Sequence, residues 1–152
     1  MRVLFVCTGN ICRSPTAEAV ARARVAAQGL DWDVDSAGTG DWHAGEAPDA
    51  RAAAAARHRG YDLTALRARA VTIEDFQCFD HLIALDAGHE AFLRRMAPPG
   101  SAGAVSRLLD WTGETPHRDV PDPYYGADGE FETVLDMVEA GVDGLIAGLR
   151  PA

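Results

Sequence analysis

The chain alternates between short apolar runs and longer stretches in which apolar residues recur at helical spacing. A continuous or alternating apolar run is typical of a buried strand. Four such runs predict strands at residues 3–6, 32–37, 81–85 and 105–109. The remaining periodic stretches predict helices at residues 14–28, 49–59, 90–96 and 131–149, with a further short helix that Asp75 and Phe76 close.

Strands separated by helices indicate an α/β fold with a parallel sheet. We therefore expect a single domain over residues 1–152, in which helices cover both faces of a twisted, four-stranded parallel sheet. The sequence contains no internal repeat and no low-complexity linker. In folds of this class the ligand site lies beyond the carboxyl ends of the strands.

Charge and composition exclude some classes of function. A net charge of −9 disfavours a nucleic-acid-binding protein, which normally presents a basic face. No run approaches the roughly 18 apolar residues of a membrane span, and the opening MRVLFV is too short for a secretory signal. Three cysteines without an export signal favour reduced thiols. We therefore expect a cytoplasmic protein without membrane insertion, and the sequence leaves unconventional secretion open.

The stretch VCTGNICRSP, residues 6–15, joins the first predicted strand to the first predicted helix. Its backbone N–H groups and the positive end of the helix converge on one point, which favours an anion. Arg13 adds a planar fork that can bind two oxygens of a phosphate-like group. Cys7, which faces these charges, is expected to be a thiolate near neutral pH. A thiolate at the base of an anion cradle is suited to attack on phosphorus.

Two other interpretations compete for the cysteines. A cysteine at the end of a strand is usually a small buried hydrophobic residue. Cys7, Cys12 and Cys78 are numerous enough for a zinc site, but no Cys-x2-Cys pair or nearby histidine supports one. We therefore expect neither a metal nor a cofactor.

The start of the first helix carries capping signals of its own. Ser14 is expected to cap the helix, because a hydroxyl can accept a hydrogen bond from the N–H groups of the first turn. Pro15 suits the first helical position, and Gly29 suits the position just after the end.

Three segments of the chain resemble the low-molecular-weight protein tyrosine phosphatases. CTGNICRSP at residues 7–15 resembles that family's phosphate loop, and DVPDPYYG at residues 119–126 resembles its general-acid loop. DSAGTGDWHAGEAPDARA at residues 35–52 resembles the segment with an aromatic wall. The first motif is shared with arsenate reductases, but the pair of motifs is specific. The resemblance covers essentially the whole chain and implies metal-free hydrolysis of phosphotyrosine through a phosphocysteine intermediate.

The resemblance assigns roles to the residues of the first motif. Cys7 is the nucleophile, and Arg13 clamps two phosphoryl oxygens. The phosphate-binding backbone is that of Thr8, Gly9, Asn10, Ile11, Cys12 and Arg13. Asn10 matches the residue of the tight turn, where asparagine is suited because it tolerates positive φ. Ser14 matches a hydroxyl that donates to the thiolate, a role that competes with its predicted cap.

Three further positions surround this loop. Ser36 matches a residue that supports Asn10. Leu66 stands where many relatives have a supporting histidine, so we expect the loop to be held differently. Asp86 matches a position that orders the active-site arginine.

The second motif supplies the acid and part of the substrate slot. Asp122 matches the general acid, which protonates the leaving oxygen and later accepts a proton from the attacking water. Asp119 is a nearby alternative with a poorer match. Trp42 and Tyr124 match the two walls of a slot deep enough for phosphotyrosine, and Tyr125 lies at the rim. The alternative for Trp42 is a place in the core.

The sequence leaves several substrates and partners open. Ile11 faces the leaving group and favours tyrosine, because relatives that hydrolyse phosphoarginine tend to place a smaller polar residue there. The alternatives are a protein arginine phosphatase, a non-catalytic phosphate-binding module, and an arsenate reductase, for which Cys78 lacks a second cysteine nearby. The expected partner is a tyrosine-phosphorylated protein, such as a bacterial tyrosine kinase or a host protein. The expected state is a monomer or a weak dimer.

The same loop is expected to respond to oxidants. Cys7 and Cys12 lie at opposite sides of one curled loop, so their Cα atoms are expected within the disulfide range of about 4.4–6.8 Å. A reactive thiolate is oxidised first. Cys12 is therefore the predicted redox partner of Cys7, with packing alone as the alternative.

Overall fold

The computed structural model describes residues 1–113, 119–124 and 129–150, and it has the predicted α/β architecture. Its four strands run parallel in the order β2-β1-β3-β4. They are β1 Arg2–Cys7, β2 Asp33–Gly38, β3 His81–Ala84 and β4 Ala104–Arg107. The chain leaves β1 toward one side of the sheet and β3 toward the other, so a crevice opens at their carboxyl ends.

Helices follow each strand. They are α1 Arg13–Ala27, α2 Ala50–His58, α3 Asp75–Cys78, α4 Ala87–Met96, a 3-10 helix at Leu108–Thr112, and α5 Gly129–Leu149. Within the described ranges, none of these helices has the length and apolar character that a membrane span requires.

Alternating side chains of β1 enter two separate cores. Phe5 lies in one cluster and Leu4 in the other, and both are fully buried. The first cluster contains the inner faces of α1 and α5, including Val20, Val25, Val134, Val138, Val142 and Leu145. The second contains Phe76 of α3 and Leu93 of α4. Apolar contacts therefore cover both faces of the sheet, and the predicted fold class is confirmed.

Several predicted boundaries are wrong for local reasons. Helix α4 begins at Ala87 and not at residue 90, because Asp86 caps it by accepting the His89 N–H at 2.9 Å. Leu108 and Leu109 were assigned to the fourth strand but belong to the 3-10 helix. Leu108 packs against α5 where Gly141 leaves room: a Cβ on that glycine would lie 2.5 Å from Leu108 Cγ. The short helix begins, rather than ends, at Asp75, whose carboxylate accepts the Thr72 N–H at 2.8 Å. Tertiary packing sets the end of β4, and a side-chain hydrogen bond sets the start of α3. The pattern of apolar residues predicts neither contact.

Candidate active site

The loop between β1 and α1 makes one sharp turn, at Asn10. This residue has φ 58°, the one non-glycine residue with positive φ in the described part of the chain. Asn10 is buried, and its carboxamide reaches three partners. Its Nδ2 donates to Ser14 Oγ at 2.8 Å and to Ser36 Oγ at 2.9 Å, and its Oδ1 accepts the Arg69 N–H at 3.0 Å. The positive φ expected of Asn10 and its contact with Ser36 are confirmed.

The Ser14 hydroxyl is directed to Cys7 and does not cap α1. It lies 2.9 Å from Cys7 Sγ, and α1 has no side-chain capping bond. Asn10 donates to the Ser14 oxygen, and the single Ser14 proton can go to the sulfur or to the Ala37 carbonyl, 3.4 Å away. The predicted cap is therefore wrong, because buried contacts with Asn10, Cys7 and Ala37 occupy the hydroxyl.

Behind Ser36 lies a buried carboxylate that the sequence analysis missed. Ser36 Oγ donates to Glu18 Oε1 at 2.7 Å, and Glu18 is 2% exposed. Burial raises the pKa of Glu18, and the hydrogen bond from Ser36 and the charge of Arg22 act against that rise. Arg22 lies 2.7 Å from the carboxylate. Leu66, which stands where many relatives have a supporting histidine, packs against the apolar core. The polar support of the loop continues instead from Ser36 to Glu18 and Arg22.

Arg13 is buried at the centre of the crevice. Its Nη1 donates to Asp86 Oδ2 at 2.8 Å and to the Val120 carbonyl at 3.0 Å, and its Nη2 lies 3.6 Å from Asp122 Oδ2. Burial alone would raise the pKa of Asp86, but the His89 N–H and the charges of His89 and Arg13 bring it below its usual value. The predicted contact between Asp86 and Arg13 is confirmed.

His89 is a second residue that the sequence analysis missed. It is 5% exposed, and its Nε2 lies 2.8 Å from the Thr8 hydroxyl. Its Nδ1 lies 3.1 Å from Asp86 Oδ1 without completing a hydrogen bond. Burial lowers the pKa of His89 to about 4, despite the opposing charge of Asp86. The imidazole is therefore neutral at neutral pH. His89 links Thr8, through its ring, to the Asp86 carboxylate, which accepts the His89 backbone N–H at 2.9 Å and holds Arg13.

A cleft of about 220 Å³ opens over this loop. Its lining brings together Cys7, Thr8, Gly9, Ile11, Cys12, Arg13, Trp42, His43, Asp122 and Tyr124. Trp42 is 69% exposed, so its alternative place in the core is excluded. His43 was missed, although it follows Trp42 directly in the sequence; its ring lies 6.4 Å from that of Tyr124. Tyr125 lies outside the described residues.

The two cysteines of the loop have different surroundings. Cys7 is buried at the floor of the cleft, and Cys12 is buried with Ile11 in a small apolar cluster. Burial, together with the charge of Asp49, raises the pKa of Cys12 to about 12. Cys12 is therefore a neutral thiol at physiological pH. Both are free thiols in this structure, and Cys78 is free and exposed.

The comparisons with known proteins agree over the whole chain. The family model for the low molecular weight phosphotyrosine protein phosphatases matches residues 2–152. A low molecular weight protein-tyrosine-phosphatase of Streptomyces coelicolor is 51% identical, over 98% of this chain and 93% of that protein.

Solved structures give the same answer. A protein tyrosine phosphatase from Entamoeba histolytica has a TM-score of 0.93 at 36% identity, covering 98% of this chain and 96% of that one. A Drosophila arginine phosphatase has a TM-score of 0.94 at 31% identity, covering 99% of both chains. This chain is therefore similar to proteins named for two different phosphorylated side chains.

The neutral state of His89 predicts a loss of stability in acid. An unfolded histidine titrates near pH 6.5, whereas folded His89 titrates near 4. Between these values the unfolded chain binds more protons, so this stability is present above about pH 6.5 and is lost as the pH falls toward 4. The loss from one such histidine is on the order of 3 kcal/mol. We expect His89→Gln to flatten this part of the stability profile.

Urea unfolding at several pH values between 7 and 4 measures the effect. His58→Gln is the control, because His58 is exposed on α2. Burial also lowers the pKa of His81, and that contribution is the same in all three proteins. A slope in His89→Gln equal to that of the wild type would contradict the prediction.

Proposed function

The chain belongs to the low molecular weight phosphotyrosine protein phosphatase family, and from this premise we propose that it hydrolyses phosphotyrosine in proteins through a phosphocysteine intermediate. The mechanism is metal-free and has two steps, with Cys7 as the nucleophile, Arg13 as the phosphate clamp and Asp122 as the general acid and base. One observation carries the proposal: a single cleft is lined by a thiol, a buried guanidinium and a carboxylate, the three groups that the reaction needs.

In the first step, Cys7 Sγ attacks phosphorus and the bond to the tyrosine oxygen breaks. The sulfur lies where the first turn of α1 and the Ser14 hydroxyl both favour negative charge. Backbone N–H groups of the loop and the Arg13 guanidinium bind the phosphoryl oxygens as charge develops on them. Asp86 and the Val120 carbonyl occupy Arg13 Nη1, so the guanidinium plane is fixed before substrate arrives.

Asp122 handles the proton. It gives a proton to the departing phenolate in the first step and takes one from the attacking water in the second. Its carboxylate lines the cleft 3.6 Å from Arg13 Nη2, beside the place where the leaving oxygen would lie. Asp119 is the weaker candidate for the acid, because its Oδ1 accepts from the Ala87 N–H and from Arg107.

The walls of the cleft support a flat aromatic substrate. Trp42, His43 and Tyr124 form its sides, and Ile11 presents an apolar side chain toward the leaving group. From the sequence motif, we also assign Tyr125 to the rim of the proposed substrate slot. The partner is a tyrosine-phosphorylated protein. Arginine phosphatase activity is the second candidate, because a Drosophila arginine phosphatase has the same fold over 99% of this chain.

One enzyme preparation assayed on phosphotyrosine, phosphoarginine and arsenate separates these activities. We expect turnover of phosphotyrosine to exceed that of phosphoarginine, because the apolar Ile11 side chain suits a phenyl ring better than a polar guanidinium. Arsenate reduction in the presence of thiol should be absent. Faster turnover of phosphoarginine would show that phosphoarginine, and not phosphotyrosine, is the preferred substrate. Binding of phosphate without any turnover would indicate a phosphate-binding module.

The division of labour between Cys7 and Asp122 predicts different responses to the leaving group. Cys7→Ser should abolish turnover of every substrate, because a serine hydroxyl is far less nucleophilic. Asp122→Ala should lose about 10²–10⁴-fold in kcat on phosphotyrosine, whose phenol has a pKa of about 10. The same variant should lose distinctly less on a nitrophenyl phosphate, since that phenolate leaves more readily without a proton.

Measuring kcat for both substrates in both variants tests the assignment. Substrate should still bind Asp122→Ala with nearly normal affinity, because the loop around Arg13 is intact. Equal losses on the two substrates would remove Asp122 from the acid role.

We also propose that Cys12 protects Cys7 from irreversible oxidation. Peroxide converts the Cys7 thiolate to a sulfenic acid and releases hydroxide; the Cys12 thiol then forms a disulfide with loss of water. Peroxide should therefore inactivate the enzyme, and dithiothreitol should restore it. Cys12→Ser should recover less fully than the wild type, whereas Cys78→Ser, which removes the exposed cysteine, should recover normally. Full recovery of Cys12→Ser would refute the pairing.

A further inference from the structure

Within residues 119–124, arginines from other elements contact the chain on both sides of Asp122. At residue 119, Arg107 Nη1 donates to Asp119 Oδ1 at 3.1 Å. At residue 124, Arg51 Nη2 donates to the Tyr124 carbonyl at 2.8 Å. The two arginines lie at the end of β4 and in the first turn of α2. Residues 119 and 124, on either side of Asp122, are therefore attached to two different elements, β4 and α2.

Arg107 is itself rigidly placed. It is 7% exposed, and Glu90 Oε1 accepts from its Nη2 at 2.8 Å and from its Nε at 3.3 Å. The hydrogen bond from Arg107 lowers the pKa of Glu90, which is therefore ionised at neutral pH. The same Asp119 oxygen also accepts the Ala87 N–H at 3.0 Å, at the start of α4. Asp119 thus joins its loop to two fixed elements.

Arg51 connects the acid loop to the phosphate loop. Asp49 caps α2 and accepts from the Arg51 side chain at 3.1 and 3.2 Å. The Asp49 N–H donates to the Ile11 carbonyl at 2.8 Å. The Arg51 guanidinium also lies over the Phe131 ring, 4.9 Å from its centroid, and near the Tyr124 ring. One chain of contacts therefore runs from the phosphate loop through Asp49 and Arg51 to the residue two positions after Asp122.

The Asp122 side chain has little of its own to hold it. It is about half exposed; its Oδ1 accepts the Tyr124 N–H at 3.0 Å, within the same loop, and its Oδ2 lies 3.6 Å from Arg13. The place of the carboxylate thus depends on the backbone that carries it. A displacement of about 1 Å in a reacting group can cost on the order of 100-fold in rate.

We propose that Arg51 and Arg107 are positioning residues for the general acid. They fix the backbone on either side of Asp122 so that its carboxylate stays beside the leaving oxygen. The inference rests on the proposed role of Asp122. It predicts that loss of either contact slows the first step most for a leaving group that needs a proton, and that it does not change Cys7 as the nucleophile.

The test compares Arg51→Met with Arg57→Met. Methionine keeps an apolar stem against Phe131 but cannot donate to the Tyr124 carbonyl. Arg57 is an exposed arginine on the same helix and serves as the matched control. We expect Arg51→Met to lose about 10-fold in kcat on phosphotyrosine and less than about threefold on a nitrophenyl phosphate, since only the first needs the acid. Arg57→Met should match the wild type on both.

Arg107→Met would leave the partly buried Glu90 without its main partner, so Asp119→Ala is the second variant. It removes the carboxylate that accepts from Arg107 and from the Ala87 N–H, and it leaves the contact between Arg107 and Glu90 intact. Its loss should again be larger on phosphotyrosine. If Asp119→Ala and Arg51→Met both lose equally on the two substrates, or lose nothing, the inference is overturned.

A double-mutant cycle separates this inference from the proposed function. In an Asp122→Ala background, Arg51→Met should cause no further loss on phosphotyrosine, because the group that it positions is absent. Additive losses would show that Arg51 acts independently of the acid and would overturn the inference. If Asp122→Ala alone shows no dependence on the leaving group, the proposed acid fails first. If Asp122→Ala loses more on phosphotyrosine than on nitrophenyl phosphate but Arg51→Met loses on neither, the inference is refuted and the proposed function stands.

Discussion

The buried carboxamide of Asn10 is the contact on which the rest of the site depends. Its two N–H protons go to Ser14 and Ser36, so both hydroxyl oxygens act as acceptors there. Each serine is left with one proton: that of Ser36 goes to Glu18, and the Ser14 hydroxyl lies 2.9 Å from Cys7 Sγ and 3.4 Å from the Ala37 carbonyl. A single left-handed residue thus joins the two serines that contact the carboxylate and the sulfur. Replacing it by an apolar residue would remove the donor from both serine oxygens and the acceptor from the Arg69 N–H, and an unsatisfied buried polar group costs about 1–3 kcal/mol.

Arg13 joins the loops that follow β1 and β3 with the acid loop. A buried guanidinium is costly unless charge and hydrogen bonds compensate it. Asp86, from the end of β3, and the Val120 carbonyl provide that compensation on one nitrogen only. Because Val120 lies two residues before Asp122, the proposed phosphate clamp also contacts the backbone near the proposed acid. The geometry of the phosphate site and that of the acid are therefore coupled through one side chain.

The sequence predicted the parts of the site that lie within single motifs. The order of strands and helices, the loop from Cys7 to Arg13 and the support from Ser36 followed from apolar periodicity and from the family resemblance. Glu18, His89 and Arg107 were missed, because each acts through a partner far away in the chain and an isolated charged residue predicts no contact. The cap at Ser14 failed for the related reason that a tertiary hydrogen bond outweighed a local preference. Contacts between elements, unlike periodicity, leave no pattern in one sequence.

An acidic chain with a net charge of −9 still presents a site for an anion, because its carboxylates near the cleft are paired. Asp86 and Asp49 each have a guanidinium partner, and Asp119 has Arg107. Asp122 is the carboxylate that faces the cleft itself, with Arg13 3.6 Å away. In the proposed mechanism an entering phosphoryl group binds that guanidinium and brings negative charge beside Asp122. The first step requires the protonated form of Asp122, which gives its proton to the leaving oxygen. After the leaving group departs with the proton, the ionised carboxylate is the form that the second step needs to activate water.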